Sequence, residues 1–128
     1  MQLKDFDFRL WHKPSKSFVE IKSAFITTNG RDEIVFEKSL IVPIDDENIE
    51  IELWSGLCDK KGERIYEGDI VKNRNLDTLL CLFDKHNLRF VFKYINRKEY
   101  DICYTAMDIL EVIGNIHENA EFLGKDKE

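Results

Sequence analysis

Apolar and polar positions alternate with a period of two along most of the chain, and no window of about a dozen residues carries a helical stripe, which predicts an all-β protein. The clearest strand is Leu88 to Ile95, with Leu88, Phe90, Phe92 and Tyr94 on one face and Arg89, Val91, Lys93 and Ile95 on the other. Thr78 to Phe83 is nearly all apolar, and the cluster Asp84-Lys85-His86-Asn87 between the two predicts a hairpin connection. Asn96 to Glu99 reads as a polar turn into a further strand, Tyr100 to Tyr104. Upstream, Phe6 to Trp11 alternates, breaks at His12-Lys13-Pro14-Ser15-Lys16 and resumes over Phe18 to Ile26, a second hairpin. Asn29-Gly30 tolerates positive φ at both positions, so Phe25 to Thr27 is expected to pair with Ile34 to Phe36. After Pro43 and the acidic break Asp45 to Asn48, Ile49, Ile51 and Leu53 alternate with Glu50, Glu52 and Trp54, the pattern of a strand with one wet face.

A chain of 128 residues suits one compact domain or two small modules. The boundary is expected near Gly56, giving an N-terminal β-hairpin-rich region over 1–55 and a second module over 56–128. Its 43% apolar content can fill a core, which makes the 34% charged fraction a solvated exterior rather than a mark of disorder. A net charge of -6 and a pI of 5.1 oppose binding a nucleic-acid backbone with the whole surface. One stretch differs: between positions 72 and 98, Lys72, Arg74, Lys85, Arg89, Lys93, Arg97 and Lys98 outnumber Asp77 and Asp84. No apolar run reaches the roughly eighteen residues of a membrane span, and Met1 to Phe8 holds no signal-like core, so a cytoplasmic protein without a membrane partner is expected. Cys58, Cys81 and Cys103 lie too far apart for a zinc knuckle or redox pair, and Cys81, inside an apolar run, reads as a buried thiol.

The candidate chemistry is sparse. Asp59-Lys60-Lys61-Gly62 reads as a hairpin connector, Asp accepting its own turn's amides and Gly supplying positive φ. In Tyr66-Glu67-Gly68-Asp69 the two carboxylates, two positions apart, are the minimum for acid and base work; the structural reading, in which Gly68 permits a turn that Asp69 caps, is preferred. No metal site is expected from His12, His86 and His117, which lack ligand spacing, and no cofactor from six scattered glycines. Ser55 before Gly56 lacks the context of a nucleophile elbow and is expected to cap a backbone amide. Trp11, Trp54, Tyr66 and Tyr100 could form a ligand-facing patch but fit core and edge packing better. Likewise Arg89 and Lys93 share a face with Val91 and Ile95, so they fit the wet side of a hairpin as well as a nucleic-acid contact.

Three segments carry a family resemblance. Phe8 to Lys13, Ser55 to Val71 and Glu111 to Asn119 are similar, in order and spacing, to the hallmark blocks of the YopX family, with the weakest match between Ile21 and Asn48. The chain departs from that pattern at His12, His117 and Ala120, where Asp, Tyr and Pro are common. The resemblance implies a phage- or prophage-encoded protein with no established activity. It also implies a C-terminal SH3-like small β-barrel, for which five strands are expected: Asp69 to Asn73, Thr78 to Phe83, Leu88 to Ile95, Tyr100 to Tyr104 and Glu111 to Ile116, with a helical turn over Thr105 to Leu110. Asp59, Gly62, Gly68, Asp69 and Gly114 are then structural turn residues, and no catalytic residue carries over. The leading expectation is a non-enzymatic accessory protein that binds another protein, a host or phage factor, and self-associates through its N-terminal strands. The alternative is a nucleic-acid-binding barrel using Lys72, Arg74, Arg89, Lys93, Arg97 and Lys98. A third, an uncharacterised enzyme, would rest on Glu67 and Asp69.

Overall fold

The computed structural model describes residues 7–19, 26–28, 33–36, 40–43, 46–95 and 97–124. Nearly all of the regular structure is β, as the alternation predicts. The chain divides into two compact units, Met1–Glu52 and Leu53–Glu128.

In the first unit, β1 (Phe8–His12) pairs antiparallel with β2 (Ser17–Val19), Trp11 opposite Phe18 and His12 opposite Ser17. The turn between them is closed by the Lys16 amide donating to the Lys13 carbonyl at 3.2 Å, with Lys16 at φ 52°. A separate meander joins β3 (Ile26–Thr28), β4 (Glu33–Phe36) and β5 (Leu40–Pro43). Thr28 faces Ile34, so the expected pairing forms, whereas Asn29-Gly30 itself and residues 20–25 lie outside the described residues. β6 (Ile49–Cys58) begins in this unit after a turn in which the Asp46 carboxylate accepts the Asn48 amide.

Here one expectation is overturned. Glu52, placed on the wet face, is 4% exposed, and Ile51, placed on the apolar face, is 47% exposed. The reason is Arg9: its Nε lies 2.7 Å from Glu52 Oε1, and its guanidinium covers the Phe18 ring at 4.6 Å. A paired, hydrogen-bonded carboxylate can be buried where an isolated one cannot.

In the second unit, the latter part of β6 pairs with β7 (Arg64–Tyr66), Trp54 opposite Tyr66 and Cys58 opposite Arg64, with a bulge between. Gly56, at φ +86°, lies in that bulge, and Ser55 Oγ accepts the Leu57 amide. A four-stranded sheet follows in the order β10-β9-β8-β11, built from β8 (Asp69–Lys72), β9 (Thr78–Asp84), β10 (Arg89–Tyr94) and β11 (Glu111–Asn115). A short helix, α1 (Glu121–Gly124), closes the described chain. Alternation along these strands sends Val71, Leu79, Cys81 and Phe92 to one face, where they form the core with Ile65 and Leu110. Cys81 is a fully buried thiol. On the opposite face Val91 and Ile95 are also buried, while Arg89 and Lys93 are exposed.

Three further expectations need correction. Tyr100 to Tyr104 is not a strand: Phe92 and Ile102 exchange both backbone hydrogen bonds as one isolated bridge, and Tyr100 is 94% exposed. Only Ile102 and Tyr104 reach the core, Tyr104 meeting Phe92 edge-on at 5.1 Å, so burial holds the segment without a ladder. Thr105 to Leu110 makes a single turn rather than a helical one, because the Asp108 carboxylate accepts the Thr105 amide at 2.7 Å while the Asp108 amide returns to the Thr105 carbonyl at 3.0 Å. Gly114 is no turn residue; it lies within β11 at a register shift, where an added Cβ would stand 2.6 Å from Asn119 Cγ.

Candidate interaction cleft

Two of the hallmark blocks owe their composition to backbone bonding. Asp59 is 6% exposed; its Oδ1 accepts the amides of Lys61 and Glu63, while Oδ2 reaches Val112 on β11 at 3.1 Å. Beside it the Lys60 amide donates to the Leu110 carbonyl, so the outer edge of β11 is capped by this hairpin. Gly62 (φ +84°) and Gly68 (φ +89°) supply the left-handed positions. Asp69, 2% exposed, accepts the Tyr66 amide through Oδ2, and Glu67 Oε1 accepts the Leu53 amide. In the last block Asn115 Oδ1 accepts the amides of His117 and Glu118, and Asn119 Oδ1 accepts that of Asn115. Glu67 and Asp69 are therefore engaged by the main chain.

The aromatic residues divide. Trp11 is 6% exposed and stacks edge-on with Phe18; Trp54 donates through Nε1 to the Leu57 carbonyl and carries the Arg64 guanidinium 4.0 Å above its ring. Tyr100 points into solvent.

A cleft of about 260 Å³ opens in the second unit between the β8–β9 loop and the segment preceding β11, floored by Tyr94, Ile102 and Tyr104. A smaller hollow of about 100 Å³ shares Asn73, Arg74 and Ile109 with it and adds Lys72 and Leu76. The loop is locked. The Asn73 amide donates to the Asp77 carbonyl and its carbonyl accepts the Leu76 amide; its Oδ1 accepts the Asp77 amide, and its Nδ2 donates to Asp77 Oδ2 and the Tyr104 hydroxyl. Arg97 binds the same Asp77 carboxylate at 3.2 Å and lies 4.5 Å over Tyr94. Burial pushes the Tyr104 phenol up from its ordinary value, against the Asn73 hydrogen bond, so at neutral pH it is a neutral donor and acceptor. Within this frame Leu76 is held at φ 65°, a conformation that L side chains avoid, and is 74% exposed. Met107 and Ile109 on the facing rim are 90% and 46% exposed.

Of the six basic candidates, Arg74 lines the cleft, Lys72 joins it in the adjoining hollow, and Arg97 is tied to the cleft through Asp77 and Tyr94. Arg89 stands at the other end of the β9–β10 ladder from Tyr94, 3.7 Å from Asp84. Lys93 is exposed in mid-strand, and Lys98 lines a separate shallow concavity with Glu99 and Tyr100. Sequence reasoning passed over Asn73, Leu76, Asp77, Tyr104, Met107 and Ile109. One signal was present: Asn73 and Asp77, turn formers four apart, bracket an apolar Leu76 that no alternating strand claims.

The described residues thus form an all-β protein of two four-stranded sheets and a three-stranded meander, with side-chain carboxylates and amides closing its turns. The chain belongs to the YopX protein family, whose model matches residues 7–124. It is also similar in fold to the crystal structure of protein EF1440 from Enterococcus faecalis, with 23% identity, a TM-score of 0.60, and coverage of 92% of this chain and 97% of that one. No curated protein matches it. Among the described residues no helix is long and apolar enough to cross a membrane.

Proposed function

We propose that this chain is a non-enzymatic accessory protein of phage or prophage origin that binds another protein, and that its second unit is a small SH3-like barrel presenting the cleft. The observation that carries this reading is the exposure of Met107 and Ile109 at a concave, aromatic-floored surface, with Leu76 exposed in the hollow beside it on a loop already held by hydrogen bonds. Large apolar side chains gathered at a rim mark interaction surfaces, and a pre-ordered loop loses little entropy on binding. The barrel reading draws on the β8-β9-β10 meander, on β11 returning beside β8, and on the Asp59–Lys60 hairpin sealing the edge of β11. The N-terminal strands would serve self-association through their edges.

The test is affinity capture of the tagged chain from its native host with the prophage induced, in nuclease-treated and untreated halves, run beside a Met107→Ser/Ile109→Ser variant. A protein that survives nuclease and is lost with the variant supports the reading. Nucleic acid retained in the untreated half, with co-purifying proteins lost on digestion, would replace it with nucleic-acid binding through Lys72 and Arg74.

A further inference from the structure

We infer that the cleft takes a peptide segment of the partner that carries a carboxylate next to a large apolar side chain; this rests on the protein-binding reading above and specifies its chemistry. Charge selects the ligand. The acidic groups near the cleft are already engaged: Asp77 by Arg97, Asp108 by the Thr105 amide and hydroxyl, and Glu111 by Lys60 at 3.0 Å and Lys61 at 3.5 Å. Lys72 and Arg74 are exposed, and among the described residues neither has an ion-pair partner. Asp108 keeps its charge, since its donors are neutral, but Lys60, Lys61, Lys72, Arg74 and Arg97 outnumber Asp77, Asp108 and Glu111, so the rim is locally cationic on a chain whose net charge is -6. On a chain of net negative charge this cationic rim favours an acidic ligand segment, so the charge pattern contributes to the docking orientation as well as to the choice of ligand.

The apolar half of the ligand follows from the floor. Tyr94 and Tyr104 offer ring faces and edges with polar tips, and the cleft's volume admits one bulky side chain rather than a packed helix. Leu76 adds an apolar contact in the adjoining hollow, which shares Asn73, Arg74 and Ile109 with the cleft. Its left-handed backbone is fixed by Asn73 and Asp77 from within the loop, so the side chain is presented whether or not a partner is bound. An anchor seated in the cleft against Met107 and the tyrosines would bring its neighbouring residues against Arg74, which lines both cavities, and toward Lys72 and Leu76 in the adjoining hollow.

The test uses the purified full chain and fluorescent peptides of one length, each with a central Leu or Phe flanked by Asp, by Ser or by Lys, together with labelled oligothymidylate, read by anisotropy. Asp-flanked peptides are expected to bind about tenfold tighter than Ser-flanked ones, the sum of two exposed ion pairs. Lys-flanked peptides should bind most weakly, and a central Gly should abolish binding. Lys72→Ser/Arg74→Ser should level the Asp and Ser series, Met107→Ser should weaken every peptide, and Leu88→Gly, a second exposed left-handed leucine away from the cleft, should change none. Equal binding of the Asp and Lys series would overturn the stated chemistry while leaving protein binding intact. Failure of every peptide with a chain that still melts cooperatively would overturn both. Tight oligothymidylate binding lost in Lys72→Ser/Arg74→Ser would assign the cleft to nucleic acid and overturn the inference.

Discussion

Asp59 Oδ2 accepts the amide of Val112 at 3.1 Å across 53 positions of sequence, joining the β6–β7 hairpin to the last strand of the sheet. The same carboxylate closes its own turn through the amides of Lys61 and Glu63. One side chain thus sets a local turn and a long-range contact together, which explains why a short Asp-Lys-Lys-Gly unit can mark a whole fold.

Asp59→Asn keeps one acceptor oxygen but turns an NH₂ group toward either the turn or Val112, so at least one buried donor faces another donor. The expected loss is roughly 2 kcal/mol, measured as a lower urea midpoint at unchanged slope. Asp59→Ala should lose more. An Asn variant as stable as the parent would show that the Val112 contact contributes nothing.

Gly114→Ala should cost about 1 to 3 kcal/mol, because the new methyl enters space held by the Asn119 side chain. Asn119→Ala alone loses the hydrogen bond to the Asn115 amide, about 1 kcal/mol. In the double variant the clash with the Asn119 Oδ1 and Cγ is gone and only the 3.1 Å approach of the Cβ at position 119 remains, so its loss should fall below the sum of the two singles. Strict additivity in chemical denaturation would mean that the two residues do not oppose each other.

These two positions mark the border of what the sequence discloses. Turn chemistry was legible: Asp59, Gly62, Gly68 and Asp69 act through their own few neighbours, and the Asp84 cluster does form a hairpin, its Oδ1 accepting the His86 amide at 3.0 Å. Strand faces were legible where a core residue alternates with a solvated one, as at Phe92 and Lys93. Gly114 was not, since its requirement comes from a side chain that approaches from beyond the strand. Glu52 was misassigned because period-two reading ranks residues by polarity, and Arg9, forty-three positions away, supplies the pair that lets it be buried. The cleft was hidden for a similar reason: it joins the loop after β8 to residues 102–109, and its apolar members fall separately in the expected strands Leu88 to Ile95 and Tyr100 to Tyr104 and in the turn over Thr105 to Leu110.

Stability should fall on acidification partly through Glu111. Its hydrogen bond with Lys60, reinforced by the charges of Lys60 and Lys61, holds its carboxyl below the ordinary glutamate value. The folded state therefore binds that proton less readily than the unfolded one, and the contribution is present above the unfolded pKa and lost as pH falls through the folded one. The melting temperature should drop from about pH 5 to pH 3, and Glu111→Gln should flatten that slope while leaving the alkaline side unchanged. Identical profiles for the two proteins would remove Glu111 as a contributor.

Tyr104 predicts the opposite edge. Burial holds its phenol protonated in the folded state above the pH at which a free phenol ionises, so stability is full below about pH 10 and declines as pH rises beyond it. Tyr104→Phe should lose about 1 kcal/mol at neutral pH, from the broken bond to Asn73 Nδ2, and should also lose the alkaline decline. A phenolate absorbance titration in which all tyrosines ionise together would contradict the shift.

Leu88 tests the strain argument apart from any binding. It is 78% exposed at φ 53°, at the end of the Asp84 hairpin, so its side chain gains little from packing while its backbone bears the left-handed penalty. Asn tolerates that region without glycine's extra chain entropy, so Leu88→Asn should raise stability by about 0.5 to 1 kcal/mol, and Leu88→Gly by less. Leu88→Ala keeps a Cβ and the strain, and should be neutral. The order Asn above Gly above Ala in chemical denaturation identifies backbone conformation as the cause; Ala matching Asn would assign the effect to removal of exposed apolar surface instead. The same order at Leu76, accompanied there by loss of peptide binding, would show strain retained at the cleft in exchange for a fixed apolar contact.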